Sequence, residues 1–460
     1  MECFDVLIVG GATTGSFLAR KLAENGYRVL VLEQQPKEKL GCVPEVMRIH
    51  EGDFARYRLP MPERTDDFAF SCPGASIFSA LGRFPKRIEC TTIGVYRFRY
   101  VARLNAWAQE AGAQIRYRAT FVDFVYEAGR IAGGVYAQDG VMREVRASLV
   151  ADCSGAIAAA RTKIPAGYGV ENTPVVPEFL RYATLRHIVY REPWDYVSCM
   201  RGWTYYSIWE AQEGRADCAV LGTWSNGSYD AGERAFAAFQ RTVQLPRYTV
   251  LRTERRTFPT RYPLFSFVAD GFFASGDAAY IIAPATEAGL VISLPQLSIA
   301  AEEIGRLLGE GGPLTRARLW RINTRFYAEE GGALAAQYAM QEAFPGTTVK
   351  ENDFFFRRDV IFSGRTLQSL SRGRKPTISA KEKLRMTLIL LCGVPTGQVR
   401  AGTIAGLLRC MRNMARAEKL YASYPESEND FDAWVSRAEA FWARYGKKAE
   451  DGNTRTTTRI

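Results

Sequence analysis

The stretch Asp5 to Glu33, DVLIVGGATTGSFLARKLAENGYRVLVLE, constrains the fold more than any other part of the chain. Val6 to Val9 is an unbroken apolar run that reads as a buried parallel strand, and it ends in Gly10 and Gly11. Ala12, Thr13, Thr14 and Gly15 lead into an amphipathic helix with Phe17, Leu18 and Leu22 on one face; a second apolar strand, Val29 to Leu32, closes on Glu33. This is a βαβ unit, and its turn has a chemistry of its own. The helix N-terminus exposes unpaired N–H groups and a partial positive charge, so a pyrophosphate can rest there if the backbone can approach it. Glu33 lies 18 residues beyond Gly15, where a carboxylate can accept hydrogen bonds from a ribose diol. The unit proposes an adenine dinucleotide, against the plainer reading of an ordinary βαβ crossover. In the G-x-G-x-x-G register Gly10 and Gly15 fill the first and third positions, while Ala12 stands in the second.

The rest of the chain bounds the protein's class. With 460 residues, 47% of them apolar, it can bury a large core, and disordered or fibrous classes are excluded. Nine cysteines are scattered without a C-x-x-C pair, and the histidines are His50 and His187. No metal is expected, and neither a Ser-His-Asp nor a Cys-His constellation is legible. The thiols read as reduced, in a cytoplasmic protein. Asp5 follows Met1 too closely for a secretory leader, and the longest later apolar run, Leu388 to Val394, is too short to span a bilayer. The net charge of +11 could serve nucleic acid, an anionic membrane surface or an anionic cofactor and substrate; because the arginines are dispersed, no nucleic acid is expected.

Beyond Glu33 the chain reads as irregular from Gln34 to Phe84, with Gly41, Pro44, Pro60, Pro62 and Pro73 breaking any long element. Within it, Leu40 to Glu45 puts Cys42 just past the nucleotide strand, either as a small buried cysteine or as a thiol beside a bound ring. A helix is expected from Arg97 to Ala111, then a strand from Gln114 to Tyr117. Phe121 to Tyr126, Ile131 to Ala137 and Val141 to Ala147 read as an antiparallel meander. Leu149 to Asp152 returns to a buried strand that ends at Cys153-Ser154-Gly155, a second glycine turn. Aromatic-rich strands follow: Phe179 to Tyr190, Tyr196 to Arg201, Thr204 to Trp209, Ala216 to Trp224 and Tyr248 to Thr257, with a helix from Asp230 to Thr242. A third turn, Gly276-Asp277, and a Gly289-led helix to Leu308 return the chain to the first lobe. The aspartate can accept from a ribityl or ribose hydroxyl, which favours a flavin dinucleotide over a bare nicotinamide. From Leu314 onward helices are expected, and the densest basic stretch, Arg357 to Lys375, is either a solvated face or a contact for an anionic membrane or substrate tail.

The expected fold class is α/β. A Rossmann-type domain with a parallel sheet and an inserted β-meander takes residues 1–163 and 268–312; an antiparallel-sheet substrate domain takes 164–267. A helical C-terminal region takes 313–450, and 451–460 is expected to be a disordered tail.

With its three turns in place, the chain resembles the para-hydroxybenzoate hydroxylase flavoprotein superfamily, and within it the geranylgeranyl reductase family, over Asp5 to Leu308. Gly10, Gly15 and Glu33 match the family's first FAD motif. Arg97 and the helix ending in Ala111-Gly112-Ala113 match its R-x-x-F-D-x-x-L…G-A segment, with Tyr100 and Val101 for Phe and Asp. Asp152-Cys153-Ser154-Gly155 with Arg161 is similar to D-A-S-G…R, and Gly276-Asp277-Ala278-Ala279…Pro284…Gly289 to G-D-A-A…P-x-x-G-x-G, although Glu287 and Ala288 depart from the usual Gly-Glu. Cys42 stands where the reductases carry a Cys-Gly loop, with Val43 for the Gly. Gly202-Trp203-Thr204-Tyr205-Tyr206 resembles their G-Y-x-W-x-F-P segment, with Ser207 for the Pro.

The resemblance implies FAD. Its binding residues would be Gly10, Gly11, Ala12, Thr13, Thr14, Gly15, Glu33, Gln34, Cys42, Val43, Arg97, Phe121, Val122, Asp152, Gly155, Gly276, Asp277, Pro284, Gly289, Leu290 and Val291. Cys42 would be the catalytic residue beside the flavin, and Trp203, Tyr205 and Tyr206 would bind substrate. The implied activity is an oxidoreductase that reduces carbon–carbon double bonds of an isoprenoid-like or other apolar substrate, with reducing equivalents from NAD(P)H or ferredoxin. An aromatic monooxygenase and a flavin-dependent halogenase are the alternatives; Gly202-Trp203-x-Tyr205-x-x-Ile208 echoes the halogenase G-W-x-W-x-I-P motif without its second Trp and its Pro. A flavin- or lipid-binding protein without turnover is a different class.

Overall fold

The computed structural model describes residues 2–42, 46–192, 200–213, 215–282, 289–343, 346–371 and 378–453. Strands of two sheets interleave along the chain. β1 (Glu2–Val9) and β2 (Val29–Glu33) precede β3 (Val46–His50), β4 (Phe68–Phe78) and β5 (Lys86–Tyr96). Then come β6 (Gln114–Tyr117), β7 (Ala119–Glu127), β8 (Arg130–Gln138) and β9 (Val141–Asp152). The remaining strands are β10 (Leu180–Tyr190), β11 (Met200–Trp203), β12 (Ile208–Glu213), β13 (Arg215–Asn226), β14 (Tyr248–Pro259), β15 (Val268–Ala269) and β16 (Phe272–Ala274).

The first sheet runs β15-β16-β9-β1-β2-β6, with β7 and β8 attached beyond β9. β1 lies parallel between β2 and β9 in the middle of the sheet, and Val6 to Ile8 are fully buried, with side chains to both faces covered, which is why that run shows no polar alternation. The expected third meander strand and the buried strand at Leu149 are one element: β9 pairs antiparallel with β8 over its first half and parallel with β1 over its second. α1 (Thr13–Ala23), α3 (Arg97–Glu110) and α5 (Gly289–Glu310) pack around this sheet.

The second sheet runs β14-β10-β13-β12-β11-β4-β5-β3 and is antiparallel except where β11 meets β4. Residues 46–96, which the sequence reading keeps with the first lobe and takes as irregular as far as Phe84, supply three of its strands and the short α2 (Glu51–Tyr57). Pro73 misled that reading. It falls where the β4–β5 register slips between Cys72 and Gly74, a break in the ladder that accommodates a residue without an N–H. The expected strand at Thr204 is also displaced: Thr204–Tyr206 is a 3-10 turn, and Ser207, at φ 53°, reverses the chain so that Trp203 and Ile208 pair across β11 and β12. α4 (Tyr229–Thr242) covers one face of this sheet through Phe236 and Phe239.

The C-terminal region is helical as expected: α6 (Arg316–Phe326), α7 (Gly332–Ala343), α8 (Val349–Arg357), α9 (Gly364–Ser371), α10 (Ala380–Gly393), α11 (Ala401–Ala422) and α12 (Phe431–Asn453). Capping boxes start α8, at Thr348 and Glu351, and α10, at Ser379 and Glu382. Trp320, Tyr327, Tyr421, Tyr424 and Trp434 tie α6, α11 and α12 into the core of the first sheet. α12 runs to Asn453, into the stretch read as a tail; the rest of that tail lies outside the described residues. No helix among the described residues is long and apolar enough to cross a membrane.

Candidate active site

The glycine turn has the geometry its sequence requires. Gly10 sits at φ 103°, and a Cβ on it would lie 2.5 Å from the Cys153 carbonyl oxygen, where β1 and β9 end side by side. A Cβ on Gly15 would lie 1.9 Å from the Gly10 carbonyl oxygen, so the lack of a side chain lets α1 close on the strand. Ala12 is the N-cap of α1, with no side-chain cap and no acid in the first turn. The first-turn amides are therefore left to the occupant of the cavity that Ala12, Thr13 and Thr14 line. Glu33 is buried at the same cavity: Oε2 accepts from Gly11 N–H at 2.8 Å and Oε1 from Gln35 N–H at 2.7 Å. Each oxygen keeps a further lone pair, the arrangement a ribose diol needs. Helix terminus, bare backbone and carboxylate thus fit an adenine dinucleotide.

The other two turns divide into structural and cavity-facing parts. Asp152 does not line the cavity. Its Oδ1 accepts from Ser154 N–H and Oγ–H at 2.9 and 2.6 Å, and its Oδ2 from the amides of Ala160 and Arg161 at 3.1 and 2.6 Å, so it organises its own turn. Arg161 is fully buried and donates to the carbonyls of Ala278, Glu171 and Thr173, tying this turn to the Gly276 turn. Gly276, at φ 65°, packs against the Thr14 side chain. Asp277, Arg97, Gln34, Phe121, Gly155, Gly289 and Leu290 do line the cavity, whereas Val122, next to Phe121 on β7, does not. Burial raises the Asp277 pKa, opposed by Arg97, and burial lowers that of Arg97, opposed by Asp277. Val43, Pro284 and the Val291 side chain lie outside the described residues. Cys42 is exposed at the turn after Lys39, where its thiol faces the Glu38 carbonyl oxygen at 3.5 Å, and it does not line the cavity.

That cavity, about 2510 Å³, continues from the glycine turn across one face of the second sheet to α10 and α11. Strand alternation separates the two faces. Leu185, His187 and Val220 meet the cavity, while Ile188, Tyr190, Ala219 and Leu221 lie in the core under α4. Tyr205, Tyr206, Trp209 and Trp224 line it. Trp203 does not: it is 3% exposed, stacked on Phe78 and edge-on to Phe239 in the core beneath α4.

The sequence reading missed the polar side chains of this wall. His187 Nδ1 is 2.5 Å from Glu213 Oε2, and Nε2 is 3.1 Å from Glu254 Oε1, at ion-pair distance though not aligned as a hydrogen bond. Burial works to lower the His187 pKa, but the two carboxylates outweigh it and the pKa is raised. His50 Nδ1 lies 2.9 Å from Cys90 Sγ, a thiol–imidazole pair that spacing alone did not reveal, because the two residues are 40 apart and meet only across β3 and β5. Arg48 stacks over Trp209, 4.5 Å from the ring centroid. The alternation Val46, Arg48, His50 was the available signal, hidden inside a stretch read as irregular.

Comparison with known proteins agrees with this architecture. No family model matches the chain. It is 20% identical over 466 aligned residues to a digeranylgeranylglycerophospholipid reductase of Sulfolobus acidocaldarius, covering 96% of this chain and 98% of the relative. In fold it is similar to a geranylgeranyl bacteriochlorophyll reductase-like protein of Thermoplasma acidophilum, with a TM-score of 0.64, 17% identity, and 86% and 97% of the two chains covered. It is also similar to a myxobacterial chondrochloren halogenase described as FAD-dependent, at a TM-score of 0.60, 18% identity and coverages of 94% and 99%. By sequence along nearly its whole length the chain is similar to a digeranylgeranylglycerophospholipid reductase, and its fold is that of these flavoprotein structures.

Proposed function

We propose that this chain is an FAD-dependent oxidoreductase that saturates carbon–carbon double bonds in an isoprenoid-like substrate. The observation that carries the reading is the single cavity, which joins the dinucleotide turn to a long, largely apolar space ending between α10 and α11. When bound, FAD supplies the hydride chemistry. The chain's own residues do the rest. Glu33 and the first turn of α1 would hold the adenosine and pyrophosphate, and Asp277, Arg97 and the start of α5, which line the same cavity, would face the flavin half. Tyr205, Tyr206, Trp209 and Trp224 exclude water and orient an apolar chain. His187, whose pKa is raised by Glu213 and Glu254, is the candidate acid within the same space.

The far end of the cavity supports peripheral membrane contact. Leu384, Leu388 and Leu391 are more than half exposed on one side of α10, and Leu408 and Met411 are about half exposed on α11. Leu391, Leu408 and Met411 also line the cavity, and Lys381, Lys383 and Arg385 flank the leucines. Such a rim suits an anionic lipid surface from which an isoprenoid chain could enter.

The test is anaerobic incubation of dithionite-reduced protein with polyprenyl and aromatic compounds, read by product mass. A gain of two hydrogens per double bond on a polyprenyl compound is expected. Conversion that requires oxygen, with hydroxylated or halogenated product, would overturn the reading in favour of the monooxygenase or halogenase.

A further inference from the structure

Among the described residues, seven arginines and lysines line the cavity against three carboxylates, Glu33, Glu213 and Asp277. Two of these cations face carboxylates inside the protein. Arg97 faces Asp277, and on the β14 edge Arg256 is 3.5 Å from Glu254, the carboxylate that also meets Arg252 at 3.0 Å. Arg48 is different. Among the described residues it forms no salt bridge, and its Nε and Nη2 are shut off from solvent with no hydrogen-bond partner. Glu213, whose field it feels, is bonded to His187. Burial lowers the Arg48 pKa to about 10, which leaves it charged at neutral pH.

A buried charge with empty donors is costly, and stacking on an aromatic ring returns only part of the cost. The stack is nonetheless built with care. The Trp209 ring lies against Gly222 of the neighbouring strand, where a Cβ would come within 2.3 Å of it, and Arg48 stands over the same ring, with the Phe70 ring centroid 5.6 Å from its guanidinium. These strands thus fix a guanidinium at a cavity wall with two of its nitrogens unpartnered.

We infer that Arg48, held on Trp209, is the recognition point for an anionic group, a carboxylate or a phosphate, on an otherwise apolar substrate. The inference rests on the reading of this cavity as the substrate's. The FAD pyrophosphate is the other anion that enters it, but the first turn of α1, on the other sheet, already provides for that group.

The test compares binding to the FAD-loaded protein and its Arg48→Gln and Arg48→Met variants, followed by Trp fluorescence and flavin absorbance. The probes are two matched pairs: geranylgeranyl phosphate with geranylgeraniol, and 2-naphthoate with 2-naphthol. At least one anion is expected to bind the wild type and to bind the variants about ten- to a hundred-fold more weakly, with its neutral partner within about two-fold. Arg48→Met is expected to melt at a higher temperature than the wild type in the absence of probe, because it removes an uncompensated charge; this separates recognition from a structural role. If only the naphthoate pair discriminates, the anion site stands and the isoprenoid reading falls. The inference is overturned if neither anion binds the wild type, if anion and neutral partner lose affinity equally, or if FAD affinity falls in step.

Discussion

At the scale of single residues, the cofactor end depends on atoms that are missing. Gly15 has no room for a methyl group: the Gly10 carbonyl oxygen stands 1.9 Å from where its Cβ would be. Gly15→Ala should therefore push α1 off β1, destabilise the protein by about 3 kcal/mol and abolish stoichiometric FAD uptake. Thermal melts and flavin released on denaturation check this, and an alanine variant with wild-type flavin content would refute it. These residues were legible in the sequence because turn, helix and acid lie within thirty positions and their chemistry is local. Asp152 was misassigned for an instructive reason. A carboxylate at a strand end can serve a ligand or its own turn, and only the four protein donors around it decide. Cys42 and Trp203 failed similarly, as residue types whose role depends on which way a turn or strand faces.

At the scale of elements, the strands alternating two faces were readable and their partners were not. β10, β13 and β14 follow the expected spans to within a few residues, yet nothing in the sequence announced that His187 would lie between Glu213 of β12 and Glu254 of β14. That bridge has a consequence for pH. The His187 pKa is raised above its ordinary 6.5, so the stability it contributes is fully present below about pH 6.5 and is lost as the pH rises through the higher folded value. The melting temperature should fall over that upward interval, and His187→Asn should remove the His187 part of the slope. Identical slopes in both proteins would show that the bridge contributes nothing. Pro73 makes the complementary point: a strand breaker by composition, it sits in β4 because the ladder slips beside it.

At the scale of the whole molecule, two sheets separated by one cavity bring a nucleotide turn near residue 10 to a helical rim near residue 390. The division into lobes followed from turns and composition, but the sharing of 46–96 with the second sheet did not, because long-range strand pairing leaves no local mark. If the α10 rim docks on lipid, Leu388→Glu should reduce sedimentation with vesicles containing phosphatidylserine while leaving flavin content unchanged; equal sedimentation would exclude that rim. The central claim is reduction without oxygen, and rapid mixing under nitrogen tests it most directly. Dithionite-reduced, FAD-loaded protein is mixed with geranylgeranyl phosphate and followed by flavin absorbance. Return of the oxidised flavin spectrum, faster with more substrate, is the predicted result. Flavin that stays reduced at every substrate concentration until air is admitted would contradict it.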